Sequence, residues 1–239
     1  MEIILISILT LVASMVGTIS GFGTSTIMVP VLILLLPPVE AIFLVSIIHW
    51  FGNIWKISLF RKGINIKLNL LFGIIGIVTS YIGASLMLGV DKSLLLVVLG
   101  AFLVMYSLFL MFWSKYKVPT TNTTALAGGA LSGFFAGMFG IGGAIRGMFL
   151  SAFDLPKAVY IATAGSIGIL VDSTRIITYF TSSTALPERL WWSLLIFIPV
   201  SFLGAGIAKK IVDKIPQNKF RIVVAIFIFA IGIKFLLWQ

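Results

Sequence analysis

A few ionisable and amide side chains stand in segments otherwise too apolar to carry them. His49, Asn53 and Lys56 lie in AIFLVSIIHWFGNIWKISLF, Arg146 in GMFGIGGAIRGMF, and Asp172 and Arg175 in GSIGILVDSTRIITYF. Asn53 with Lys56, and Asp172 with Arg175, are each three residues apart, which puts each pair on one face of a helix. Cations gathered in an apolar surrounding suit the binding or passage of an anion, and charges at such depth are costly unless they serve a function. Lys56 and Arg175 also lie near enough to the ends of their segments to snorkel toward an interface. His49, the single histidine, is either a proton-relay group or a hydrogen-bonded core residue. Asp172 is the one carboxylate positioned to pair with Arg146. The chain has no cysteine, which excludes disulfides, thiolate metal sites and thiol catalysis. An intramembrane enzyme would need a nucleophile facing a base, and this inventory is thin for one.

One glycine-rich stretch leads into Arg146 and another stands early in the chain. GFGTST supplies Gly21, Gly23, Thr24 and Ser25, and FGIGGAIR supplies Gly140, Gly142, Gly143 and Arg146. A helix broken at such a stretch leaves the first N–H groups of the next helix without intrahelical partners, and in lipid each costs several kcal/mol. Those N–H groups and the helix dipole favour an anion, and Arg146 lies within a turn of the second break. Gly129, Gly133 and Gly137, at four-residue spacing, read instead as a helix-packing face. Pro30 predicts a kink.

The elements that would position these groups are membrane helices. Of 239 residues, 60% are hydrophobic and only 10% charged, and the polar stripe of a solvated helix face is missing from nearly every segment. The formal charge of +10 is scattered between apolar runs, which fits membrane topology and anionic lipid and argues against nucleic acid. The apolar pattern predicts helices at 3–19, 25–36, 41–60, 67–88 and 92–113, then at 126–139, 144–153, 157–180, 188–211 and 219–238. A polar linker, 115–124, separates a first membrane repeat, 1–114, from a second, 125–239, within one integral membrane domain.

The halves repeat each other. Gly21 and Gly23 align with Gly140 and Gly142, Pro37 with Pro156, Asn53 and Lys56 with Asp172 and Arg175, and Trp113 with Trp238. Segments 25–36 and 144–153 are too short for a hydrocarbon core of about 30 Å. Each half therefore opens with a broken hairpin followed by three full spans, and an odd number of crossings inverts the second half. On this topology one face collects Arg61, Lys62, Lys67, Lys115, Lys117, Lys157, Lys209, Lys210, Lys214, Lys219 and Arg221. The opposite face holds Glu2, Glu40, Asp91 and Glu188 against fewer cations, Lys92, Arg189 and Lys234, so the positive-inside rule places both termini outside the cytoplasm in a cell-membrane protein. The expected fold is all-α and polytopic, with two inverted repeats of a broken hairpin plus three transmembrane helices.

With these motifs in hand, SGFGTSTIMVPVLILLLPPVEA and GMFGIGGAIRGMFLSAFDLPKA resemble the paired glycine-proline signatures of the sulfite exporter TauE/SafE family, also called the 4-toluene sulfonate uptake permease family. The resemblance covers almost the whole chain and maps the signature glycines to Gly21, Gly23, Gly140, Gly142 and Gly143. Thr24 and Ser25 stand where many relatives continue with glycine, and Arg146 has no assigned place in the family pattern. The resemblance implies transport of sulfite, sulfonates or related organosulfur anions. The function expected from residues and resemblance together is a secondary transporter working by alternating access, with an uncoupled anion channel as the alternative. Gly21, Gly23, Thr24, Ser25, Gly140, Gly142, Gly143 and Arg146 would bind the anion, and His49, Asn53, Lys56, Asp172 and Arg175 would form its pathway or gate. The expected partners are a small anion, a coupling ion (H+ or Na+), membrane lipid and a second copy in a homo-oligomer, with no cofactor, metal or nucleic acid.

Overall fold

The computed structural model describes residues 1–20, 23–60, 63–112, 118–182, 184–211 and 217–237, with 217–221 by backbone alone. The helices are α1 (Glu2–Ser20), α2 (Ser25–Leu32), α3 (Pro38–Leu59), α4 (Ile66–Gly89), α5 (Lys92–Phe112), α6 (Asn122–Phe139), α7 (Gly142–Leu150), α8 (Lys157–Thr181), α9 (Glu188–Ile211) and α10 (Gln217–Leu237). A single 3₁₀ turn, Ser151–Phe153, extends α7, and no strand occurs among the described residues. Helices α1, α3, α4, α5, α8 and α9 are long and apolar enough to cross a bilayer. Large apolar side chains such as Ile74, Val78, Leu195 and Phe202 point outward, as lipid-facing surfaces require. The protein is an all-helical, polytopic membrane protein.

Several boundaries differ from those the sequence pattern predicts, each for a local reason. α2 stops at Leu32 rather than 36, because the chain tightens into turns (Leu34 N–H to Val31 O, 3.1 Å; Leu35 N–H to Leu32 O, 2.9 Å) before Pro37. α3 starts at Pro38 rather than 41, since a proline at the first helical position loses no hydrogen bond. α6 starts at Asn122 rather than 126, because the Thr121 hydroxyl accepts the Thr124 N–H at 3.1 Å and caps it. That start takes 122–124 from the expected linker. α7 begins at Gly142 rather than 144. Gly21, Trp113, Trp238, residues 115–117 and the loop charges Arg61, Lys62 and Lys214 lie outside the described residues, and Lys219 and Arg221 are described by backbone only.

The short elements stay short. α2 has 8 residues and α7 has 9, so each spans roughly 12 to 14 Å of a core about 30 Å thick. Just outside α6 and α7, the Thr120 hydroxyl donates to Ala152 O at 3.3 Å, so this hairpin leaves from and returns to one end of the molecule. Packing follows a paired scheme: α1 lies on α9 and α4 on α6, α3 on α9 and α4 on α8, α1 on α2 and α6 on α7. α3 packs on α8, α5 on α10 and α2 on α7. Exchanging the first five helices for the last five maps these pairings onto themselves.

The glycine face of α6 serves packing, as its spacing predicts. A Cβ at Gly129 would sit 2.7 Å from Phe72 Cα on α4, while one at Gly133 would meet Gly76 O and one at Gly137 would meet Ser80 O. Backbone approaches this close exclude any side chain there.

Candidate anion site at the helix breaks

Both breaks depend on glycine in the left-handed region. Gly23 has φ 83° and Gly140 has φ 73°, angles that strain any residue with a Cβ. At Gly23 a Cβ would also stand 2.7 Å from His49 Nε2. Gly23 N–H donates to Gly17 O at 3.3 Å and Ile141 N–H donates to Phe135 O at 3.3 Å, each bond reaching back six residues to close the preceding helix. Neither restart has a side-chain cap, at Thr24 for α2 or at Ile141 for α7. The first N–H groups of both half-helices therefore take no side-chain cap, and the positive ends of both dipoles lie at the breaks.

Between the breaks, α3 crosses α8 and brings the polar pairs together. His49 Nδ1–H donates to Asp172 Oδ2 at 2.7 Å, and the Asn53 amide donates to the same oxygen at 3.2 Å. Arg175 Nη1 donates to Asp172 Oδ1 at 2.9 Å and Arg175 Nη2 to Ile42 O at 3.1 Å. On the other side of Asn53, Lys56 Nζ donates to Asn53 Oδ1 at 3.2 Å. The Asp172 charge is therefore taken up by Arg175, His49 and Asn53, all of them buried.

Arg146 stands apart from this network. It is 3% exposed, its Nε has no hydrogen-bond partner, and it joins no ion pair among the described residues. Gly168 makes its place: a Cβ there would come within 3.2 Å of Arg146 Nη2 and press on the Asn53 amide. Arg146 and Lys56, itself 6% exposed, both line a small cavity bounded by Gly17, Thr18 and Gly23 on one side and by α8 from Tyr160 to Gly165 on the other. About 10 Å³ of it is open to the centre of a water-sized sphere, room for roughly one water. Lys56, Arg146 and Arg175 are three buried cations facing Asp172, the one buried carboxylate among the described residues.

Of the residues singled out in the sequence, Gly23, Asn53, Lys56 and Arg146 share the cavity wall. His49, Asp172 and Arg175 form the network beside it, and Arg175 is bound into that network rather than standing at an open mouth. Thr24, Ser25, Gly142 and Gly143 are buried at the tips of the half-helices, off the cavity wall, and Gly140 packs against Val29 and Arg175. Gly21 is outside the described residues. Sequence reasoning missed Gly17, Thr18, Tyr160, Ile161, Ala164 and Gly165 of the wall, and Gly168 beside it. A helical signal for part of this set exists, because Ile161, Gly165, Gly168, Asp172 and Arg175 follow one face of α8 at spacings of four and three.

Comparison with curated proteins finds no match. Residues 6–235 match the family model described as Sulfite exporter TauE/SafE, which carries with it a small anionic substrate. A match over nearly the whole chain, on a polytopic bundle with buried cations at two helix breaks, shows that this protein belongs to the sulfite exporter TauE/SafE family of membrane transporters.

Proposed function

We propose that the protein is a secondary transporter that moves sulfite, a sulfonate or a related sulfur oxyanion across the cell membrane by alternating access. The observation that carries this reading is Arg146, a buried guanidinium without an anionic partner, aimed with Lys56 into a cavity at a helix break. A fixed charge is costly at such depth, and a bound anion offsets that cost. The cavity has room for about one water, which is narrow for a conducting pore. The paired packing scheme supports two repeats, 1–114 and 125–239, inserted in opposite senses and rocking about the α3–α8 crossing. Both termini lie outside the cytoplasm on this reading, and the Arg189–Glu2 ion pair at 2.8 Å, which sets the starts of α1 and α9 at one end, agrees with it.

Sulfite flux into liposomes containing the purified protein tests the proposal. Wild type takes up sulfite with saturation, and Arg146→Ala lowers the rate about 10-fold or more, as expected for loss of one or two charge-assisted hydrogen bonds. Unchanged flux in Arg146→Ala removes that residue from the site, and a conductance far above carrier turnover replaces the carrier with a channel.

A further inference from the structure

The charges around the cavity specify more than the presence of an anion. Arg175 is compensated by Asp172, whose Oδ1 it binds at 2.9 Å while His49 and Asn53 occupy Oδ2. Arg146 and Lys56 have no such partner: neither joins an ion pair among the described residues, and the hydrogen bond of Lys56 goes to a neutral amide, Asn53 Oδ1, at 3.2 Å. Both side chains are more than nine-tenths buried and both line the same cavity. Two basic side chains without an ion pair among the described residues thus line one cavity.

Resting on the transport reading above, we propose that the site selects its cargo by charge, taking dianionic oxyanions such as sulfite, thiosulfate or sulfate in preference to monoanionic sulfonates and carboxylates. A dianion neutralises Lys56 and Arg146 together. A monoanion leaves one buried cation unpaired at low dielectric, where such a charge is heavily penalised. Geometry suits such a cargo, because, once the cavity widens to admit it, a compact anion with three or more oxygens can accept from the guanidinium fork of Arg146, from the Lys56 ammonium and from Thr18, whose hydroxyl has no partner among the described residues. Asn53 acts as a positioning residue, holding Lys56 at the cavity while its amide nitrogen is held by Asp172 at 3.2 Å.

Calorimetric titration of the full-length protein in nanodiscs, with sulfate, thiosulfate and methanesulfonate, separates the alternatives. Wild type binds sulfate and thiosulfate at least about 10-fold more tightly than methanesulfonate, the magnitude of one charged hydrogen bond. Lys56→Gln and, independently, Arg146→Gln each lower that ratio about 10-fold, while Lys56→Arg, which keeps the charge, retains it. Melting curves without anion confirm that each variant is folded. Equal affinity of wild type for sulfate and methanesulfonate overturns the charge selection and leaves an anion site in place. A ratio unchanged in both Gln variants, or lost equally in Lys56→Arg, overturns the assignment to these cations. Binding of no anion at all overturns this inference together with the transport reading beneath it.

Discussion

Asp172 is the residue on which the buried network turns. It accepts from His49, Asn53 and Arg175, so its carboxylate holds α3 to α8 and holds one cation in register. Asp172→Asn keeps the shape and removes the charge, which leaves Arg175 buried with no anion. A loss of about 3–5 kcal/mol is expected, read as a lowered unfolding midpoint in detergent. Adding Arg175→Met to Asp172→Asn restores part of that loss, because the stranded charge goes with it; a double variant less stable than Asp172→Asn alone contradicts this reading. Much of this level was legible in the sequence, since a charge inside an apolar run announces itself. Its pairing was not. Spacing put Asp172 and Arg175 on one face, but that His49 and Asn53 take the other carboxylate oxygen depends on a crossing between segments more than a hundred positions apart, which no local pattern encodes.

At the scale of elements, glycine does two separate jobs. Gly23 and Gly140 break helices because their φ is positive, whereas Gly129, Gly133 and Gly137 let α6 lie against the backbone of α4. The second role yields a contrast between two substitutions. Gly133→Leu forces a side chain into Gly76 O and separates α4 from α6, at a cost of about 1–3 kcal/mol or more from overpacking. Gly206→Ala, on α9, meets nothing within 4 Å and is neutral or stabilising by up to about 1 kcal/mol, because alanine favours the helix. Thermal unfolding of the two variants checks both signs, and a harmless Gly133→Leu contradicts the packing role. The existence of the half-helices could be read from glycines that coincide with runs too short to span. Their ends could not: a cap at Thr121 and the turns that close α2 ahead of Pro37 shift boundaries by several residues without disturbing hydrophobic periodicity.

For the whole molecule, the constant offset between the halves was visible in glycines, prolines and polar pairs, and the packing of α1 on α9 and α4 on α6 follows the same exchange. The cavity was less visible. Its wall draws on α1, the first break, α3, α7 and α8 together, and apolar or small residues such as Ile161, Ala164 and Gly165 belong to it only because those helices converge there. The two halves of the chain contribute equally: the first supplies Gly17, Thr18, Gly23, Asn53 and Lys56, the second supplies Arg146, Tyr160, Ile161, Ala164 and Gly165. An anion held at this place binds both halves at once, which is what couples its occupancy to their relative motion in the proposed cycle. The most direct test is diffraction from crystals grown with selenite, the selenium analogue of sulfite, recorded at the selenium edge. A single anomalous peak within hydrogen-bonding reach of both Arg146 and Lys56 is the predicted result. A peak elsewhere in the bundle, with the space between those two side chains empty of selenium, contradicts it.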